Sequence, residues 1–126
     1  MAEPMVWLPF PPDRLGEPPC GLRYDVVVPS SEVSLPASAE QVEFYVLPYR
    51  FDDHDVEILG ELPKLRVVQT QTAGVEHVRR FLPEGVVLCN GRGIHDASTA
   101  ELALTLILAS LRGIPEFVQA QARGEW

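Results

Sequence analysis

The sequence is poor in the residues that would indicate a metal, a disulfide framework or nucleic-acid binding. Its only two cysteines, Cys20 and Cys89, are far apart and match no metal or redox spacing. We interpret both as free thiols in a reducing cytoplasm. Lysine and arginine total 10 against 18 aspartates and glutamates, for a net charge of −8. This acidity argues against nucleic acid and against an anionic membrane surface as partners.

Long hydrophobic runs are also missing. No apolar stretch reaches the ~20 residues that a transmembrane helix requires. The first residues, "MAEPMVWLPFPPDRLG", have no basic region and no long apolar stretch of the kind found in signal peptides. With 46% apolar and 22% charged residues, the 126-residue chain has the composition of about one soluble globular domain, which we expect to be cytoplasmic.

Short, valine-rich apolar runs alternate with connectors along the first two thirds of the chain. Such runs are typical of strands buried on both faces of a parallel sheet. Connectors of roughly ten or more residues fit crossover connections. The pattern predicts an α/β fold with a five-stranded, mostly parallel sheet. The predicted strands are Met5–Pro9, Tyr24–Val28, Glu43–Leu47, Leu65–Gln69 and Val86–Cys89.

Two of the connectors have helical patterns. The stretch "DDHDVEILGEL" offers an N-cap at Asp52, Asp53 or Asp55 and should end at Pro63. The stretch "GVEHVRRFLP" predicts a second helix that ends at Pro83. The first connector is too rich in proline for a helix, and the next contains at most one helical turn.

The longest predicted helix lies in "ASTAELALTLILASLRG", residues 97 to 113. Ser98 and Glu101 have the spacing of a capping box, and Gly113 with Pro115 predicts the end of the helix. This helix is apolar almost all round, so it should be buried on more than one face. It is either a central packing helix of this domain or packs against something outside this chain.

The stretch "VVQTQTAGVEHV", residues 67 to 78, joins a strand to a helix through polar residues and a glycine. Polar residues are tolerated there because the strand has left the core. If Thr72 caps the helix, the N–H groups of Ala73, Gly74 and Val75 become first-turn donors. Gly74 has no side chain to block a ligand, so the turn could hold a carboxylate. The alternative is a tight strand–helix turn that needs a glycine.

The segments "LPKLRVVQTQTAGVEHV" and "LPEGVVLCNGRGIHDASTAELALTLILASLRGIPEFVQAQARGEW" resemble the D-isomer-specific 2-hydroxyacid dehydrogenase family. The resemblance covers about half of the chain, from Leu62 to Trp126. It rests on the order of the pieces: a strand ending in T-x-G, then "GVVLCN", a glycine-bearing loop, "TAE" opening a long apolar helix, and a closing "RGEW".

The resemblance implies a flavodoxin-like, three-layer substrate domain over residues 1–97 and a long helix and linker over residues 98–126. The family's nucleotide-binding domain, with its catalytic Arg, acidic residue and acid/base His, has no counterpart here. The single G-x-G, at Gly91 and Gly93, is followed by Asp96 where the dinucleotide fingerprint has a third glycine. We therefore expect an N-terminal portion of a longer enzyme, with no catalytic residue of its own and no activity alone.

Five positions are site residues by this resemblance. The main-chain amides of Ala73 and Gly74 would hold the substrate carboxylate. Ile94 and His95 would line the substrate pocket, although a lone loop histidine is more often solvated or capping. Thr99 would lie near the nicotinamide of NAD or NADP.

The implied reaction is reversible hydride transfer between NAD(P)H and a 2-keto acid, giving a D-2-hydroxy acid. The family's long helix lies near a dimer contact, so we expect a homodimer in which Leu102 and Leu106 are on the exposed face. The rival interpretation is a stand-alone flavodoxin-like binding or regulatory module. It is weakened because the predicted strands end without the paired carboxylates of a Mg²⁺ site or the glycine-rich loop of a flavin site.

Overall fold

The computed structural model describes residues 3–27 and 34–125. The chain forms two compact units, Met1–Arg92 and Gly93–Trp126. The boundary predicted between residues 97 and 98 stays a prediction; the contacts within the chain divide it slightly earlier.

The first unit contains a five-stranded, entirely parallel sheet, which confirms the predicted α/β class. The strand order is β2-β1-β3-β4-β5, the order of flavodoxin-like sheets. Val28, the predicted last residue of the second strand, lies outside the described residues. The strands are β1 (Met5–Leu8), β2 (Arg23–Val26), β3 (Val42–Val46), β4 (Val67–Gln69) and β5 (Val87–Cys89).

The core of the described residues belongs to this first unit. At its centre the rings of Trp7 and Tyr45 meet edge to face, with centroids 5.4 Å apart. Both side chains are fully buried. Aromatic pairs of this geometry add about 0.5–1.5 kcal/mol beyond the apolar area that they bury. The two strands that carry this pair, β1 and β3, are therefore buried at the centre of the sheet, whereas the outer strands β2 and β5 expose Val26 and Val87.

The predicted helix after β3 forms, but it is short. Helix α1 (Asp53–Glu57) continues as a 3-10 turn, Ile58–Glu61. Asp52 is the N-cap: its carboxylate accepts the Asp55 N–H, and the Asp55 carboxylate accepts the Asp52 N–H. Of the three cap candidates, the structure therefore selects Asp52. Single 3-10 turns also lie in the two earlier connectors, at Pro12–Leu15 and Ala37–Glu40.

The helix predicted after β4 is much shorter than expected. Helix α2 (Glu76–Arg79) has only four residues. The chain then turns with a hydrogen bond from Phe81 N to the Val78 carbonyl, 3.0 Å long. Phe81 and Leu82 are partly buried against the core, so their packing replaces another helical turn.

The second unit consists of α3 (Asp96–Leu111) and α4 (Ile114–Ala122). The predicted capping box is wrong: His95 is the N-cap of α3, and the Ser98 hydroxyl donates to the His95 carbonyl instead. Gly113 ends α3 in the left-handed region, with φ 62°, as predicted. Pro115 lies in the first turn of α4, a helix that the sequence analysis missed.

Helix α3 has no buried residue. The expectation that it is buried on several faces is wrong for the chain by itself, and so is the alternative of a central packing helix. Within the described ranges no single helix is long and apolar enough to cross a membrane. Only α3 and α4 taken together pass on length and composition, and they are bent by 64°.

Candidate functional site

The candidate site is the amide loop, residues 70–75, which joins β4 to α2. It leaves the carboxyl end of β4, and β4 lies between β3 and β5 in the sheet. Ligands of open parallel sheets bind outside the carboxyl ends of the strands. The loop is therefore at the edge where a ligand is expected.

Almost all carbonyl groups of the amide loop accept hydrogen bonds from other groups of the chain. The Asn90 side-chain amide donates to the Ala73 carbonyl over 2.8 Å, and the Gly91 N–H donates to the Thr72 carbonyl over 2.8 Å. The Thr72 hydroxyl donates to the Gly74 carbonyl over 3.0 Å. Hydrogen bonds from Thr70 Oγ1 to the Thr72 carbonyl and from Gln69 Nε2 to the Thr70 carbonyl complete the set.

Some N–H groups of the same loop, those of Ala73 and Gly74 among them, are left without acceptors. Across the described part of the chain, no acceptor lies within hydrogen-bonding distance of the Ala73 or Gly74 N–H, and both residues are exposed. In turns where successive main-chain N–H groups point to the same side, they form an anion-binding concavity. The loop therefore offers donors, and no carbonyl oxygen of Ala73 or Gly74 without a partner, to a ligand such as a carboxylate.

The predicted contribution of a helix terminus is wrong in two respects. Thr72 does not cap α2, because its hydroxyl is committed to the Gly74 carbonyl and the helix begins only at Glu76. The Val75 N–H is already used by the Glu76 carboxylate, at 3.0 Å. Any anion therefore depends on Ala73 and Gly74, since a four-residue helix adds little dipole.

Neither the backbone conformation nor close packing of neighbouring backbone requires a glycine at position 74. Its φ lies outside the left-handed region, so an L residue could adopt the same backbone conformation. A Cβ atom there would lie 3.3 Å from the Glu76 carboxylate. The alternative of a turn that needs glycine for its conformation therefore receives no support.

The amide loop is held against both neighbouring strand ends. On one side Gln71 Nε2 donates to the Leu47 carbonyl, at 2.8 Å, directly after β3. On the other side Thr70 N donates to the Cys89 carbonyl, at 3.0 Å, and the Thr70 side chain is fully buried. The expectation that the polar residues have left the core is wrong for Thr70, because its hydrogen bonds satisfy it inside.

The sequence analysis missed Gln71 and Asn90 as positioning residues. One signal was present: Asn90 follows β5 directly, and polar residues after neighbouring parallel strands meet at one edge. Its partner, 17 residues earlier in the chain, is a long-range contact that no local pattern contains.

The remaining predicted site residues lie in the second unit. Ile94 is 66% exposed, His95 is the exposed N-cap of α3, and Thr99 donates its N–H to the His95 carbonyl over 2.9 Å. Their roles in a pocket or beside a nicotinamide stay predictions. His95 is the N-cap residue of α3 by position, but its side chain makes no capping hydrogen bond.

No metal site emerges from the described ranges, which contain no group of three His, Cys, Asp or Glu side chains able to hold an ion. Cys20 and Cys89 are both free thiols, as predicted. Cys89 is half-buried at the end of β5, and Cys20 is exposed.

Several curated proteins are similar in sequence to this chain. A D-3-phosphoglycerate dehydrogenase of Methanocaldococcus jannaschii is 31% identical over 72 residues, 56% of this chain and 14% of that protein. A glyoxylate reductase of Thermococcus litoralis is 31% identical over 77 residues, 60% of this chain and 23% of its own length. A hydroxyphenylpyruvate reductase of Plectranthus scutellarioides is 36% identical over 74 residues, 57% of this chain and 24% of the relative. No protein-family model matches.

A solved structure shares the fold. The crystal structure of a D-isomer-specific 2-hydroxyacid dehydrogenase from Xanthobacter autotrophicus Py2, in complex with NADPH and MES, superposes with a TM-score of 0.68. The two chains are 19% identical, and the match covers all of this chain and 41% of the other.

The fold and the amide loop define a flavodoxin-like α/β domain with a candidate anion site at the carboxyl edge of its sheet. The predicted resemblance to the D-isomer-specific 2-hydroxyacid dehydrogenases is confirmed, because the curated relatives are dehydrogenases and reductases of phosphoglycerate, glyoxylate and hydroxyphenylpyruvate, and the solved structure of a member of that family shares the fold. The chain spans less than a quarter of the length of these curated relatives.

Proposed function

We propose that this chain is the substrate-binding portion of an NAD(P)-dependent oxidoreductase that interconverts 2-keto acids and D-2-hydroxy acids. The observation that carries the proposal is the set of donors in the amide loop. Ala73 and Gly74 present N–H groups without acceptors, while the carbonyl groups of the same two residues are occupied. A loop of this polarity favours an anionic ligand such as a carboxylate.

The loop between β5 and α3 does not fit a dinucleotide pyrophosphate. It contains Gly91 and Gly93, but Asp96 replaces the third glycine and is the first residue of α3. A carboxylate at that position repels a phosphate group. Nucleotide binding, and with it the hydride step, is therefore assigned to residues outside these 126.

The part played by this chain is to bind and orient the substrate. The two amides hold the carboxylate, which fixes the direction of the neighbouring keto group. Asn90 and Gln71 hold the loop in place, so little ordering is needed when the ligand arrives. Residues 70–75 contain no acidic, basic or histidine side chain, so the acid/base group is assigned elsewhere.

A titration with a matched ligand pair tests this proposal. Pyruvate and acetone share the ketone, but only pyruvate has the carboxylate. With ¹⁵N-labelled chain at low salt, we expect pyruvate to shift the Ala73 and Gly74 amide resonances with millimolar affinity and acetone to leave them unchanged. Equal responses to both compounds, or a pyruvate response confined to other residues, would remove the basis of the proposal.

We also propose that the chain forms a homodimer through α3, in a reducing cytoplasm. The apolar side chains exposed along α3 support the dimer. The free thiols of Cys20 and Cys89 suit a reducing compartment.

A further inference from the structure

Arg50 lies in the short segment after β3, beside the amide loop. Two contacts hold this segment, residues 47–51, against the loop and the start of α2. Gln71 Nε2 donates to the Leu47 carbonyl at 2.8 Å, and the Phe51 ring stacks on His77 with centroids 4.6 Å apart. Because Arg50 falls between these two points of attachment, it is held on the side of the first unit that carries the amide donors.

Arg50 is exposed and uncommitted. Within the described ranges, its guanidinium makes no hydrogen bond and no ion pair. The acidic residue nearest in sequence is Asp52, whose carboxylate accepts the Asp55 N–H at 3.2 Å as the cap of α1. The charge of Arg50 is thus available to a ligand.

We propose that Arg50 binds a second carboxylate at the far end of the substrate, so that the preferred 2-keto acids are dicarboxylates. The inference rests on the proposed function, because the first carboxylate must occupy the amides of Ala73 and Gly74. The guanidinium fork matches a planar carboxylate through two parallel hydrogen bonds. The single positive charge of Arg50 matches a carboxylate, which carries one negative charge, better than a phosphate, which carries nearly two. The net charge of the chain, −8, further disfavours a doubly charged group.

The test uses two ligands that differ only at the far end. 2-Ketoglutarate and 2-oxopentanoate share a five-carbon skeleton and the 2-keto acid group, but only 2-ketoglutarate has the second carboxylate. We expect the Ala73 and Gly74 amide resonances to report binding of both, with 2-ketoglutarate binding about fivefold more tightly at low salt, the ratio of an ion pair of about 1 kcal/mol. Arg50→Gln should reduce this ratio to about one, and Arg50→Lys should retain part of it.

Arg66→Gln is the matched control, because Arg66 lies just before β4, at the opposite edge of the sheet, and pairs with Glu43. It changes the net charge equally and should preserve the fivefold ratio. A ratio unchanged by Arg50→Gln, or lost equally in Arg66→Gln, would overturn the assignment of Arg50 while leaving the proposed function intact. If 2-oxopentanoate fails to shift the two amides, the proposed function and this inference fail together.

Discussion

The side-chain amide of Asn90 donates a 2.8 Å hydrogen bond to the main-chain carbonyl of Ala73, 17 residues earlier in the chain. This contact connects the end of β5 to the amide loop that follows β4. It occupies the Ala73 carbonyl while the Ala73 N–H keeps no acceptor in the described chain. Asn90 therefore acts on the candidate site through the orientation of a peptide group.

Replacing Asn90 by Ala should weaken pyruvate binding several-fold, because the amide loop loses the donor that orients it. The free energy of unfolding should fall by only about 0.5–1.5 kcal/mol for each hydrogen bond removed. The exposed Asn90 side chain makes two, one donated to the Ala73 carbonyl and one accepted from the Arg92 N–H at 3.4 Å. Amide titration and urea denaturation measure the two effects. Gln41→Ala is the control, because it removes another exposed side-chain amide, hydrogen-bonded to Arg23. Equal affinity in the Asn90 variant would contradict the positioning role.

Gly74→Val should abolish the pyruvate response with little loss of fold. The added Cβ would lie 3.3 Å from the Glu76 carboxylate, and we expect the methyl groups beyond it to obstruct a ligand at the loop donors. Gly60→Val is the matched control, since a Cβ there meets nothing within 4 Å and the glycine does not have a positive φ. Circular dichroism and the same titration separate the outcomes. If pyruvate still binds the Gly74 variant with parental affinity, the carboxylate lies elsewhere.

The strands of this fold were predictable because their signal is local. Valine-rich runs bounded by turn residues recur at spacings that suit parallel crossovers, and each run became a strand. The α1 cap was narrowed to three aspartates by local sequence, and the structure selects Asp52, which caps reciprocally with Asp55. Where one short segment decides the structure, the sequence is sufficient.

The predictions were wrong where the structure depends on distant contacts, or on a residue that is common in two different structural roles. Helix α2 stops early because Phe81 and Leu82 pack against the core, which a periodic pattern does not reveal. Pro115 was interpreted as the end of α3, yet proline is equally favoured in the first turn of a new helix. Of the candidate site, Ala73 and Gly74 were found from the local strand–helix pattern and then through resemblance, whereas their anchor Asn90 depends on strand order.

Asp55 should make the folded state less stable as the pH rises from acid to neutral. Burial raises the pKa of its carboxyl above the ordinary value of 3.8, despite the N–H that it accepts from Asp52. Below pH 3.8 both states hold the proton and the group contributes nothing. Above it the unfolded chain ionises first, so stability falls until the folded pKa is passed and stays lower thereafter.

Asp55→Asn removes this cost and keeps an oxygen for the Asp52 N–H. The difference in Tm between the variant and the parent should therefore be small near pH 3 and favour the variant at pH 7. Asp53→Asn, which removes an exposed neighbouring charge, controls for net charge and should not reproduce the change. A difference in Tm that stays flat from pH 3 to pH 7 would contradict the buried-carboxyl argument.

The chain by itself should neither bind NADH tightly nor turn over a 2-keto acid. The loop before α3 has Asp96 in place of the third glycine, and its carboxylate disfavours a pyrophosphate. Isothermal titration with NADH should give no heat of binding at micromolar concentrations. An assay with NADH plus glyoxylate or pyruvate should show no oxidation above the blank. Micromolar affinity for NADH would mean that the nucleotide site is contained in these 126 residues.

Helix α3 and the start of α4 expose an unusual amount of apolar surface. The exposed fractions lie between 47% and 77%, at Leu102, Leu104, Leu106, Ile107, Leu108, Leu111, Ile114, Phe117 and Val118. Exposed apolar patches of this extent mark interaction sites or cause association. We therefore expect self-association, as a two-fold dimer, since closed isologous pairs are the commonest arrangement.

Replacing Leu102 and Leu106 together by Glu should dissolve the dimer and leave the fold intact. Their side chains are 59% and 61% exposed, so no core packing is lost, and two like charges would face their copies across the two-fold axis. Leu15→Glu tests an exposed leucine in the first unit, whereas Leu59→Ala, at a fully buried position, should cost about 2–5 kcal/mol. Light scattering gives the oligomeric state and circular dichroism the fold. A parent chain that stays monomeric at high concentration, or a double variant that unfolds as Leu59→Ala does, would contradict the role of α3.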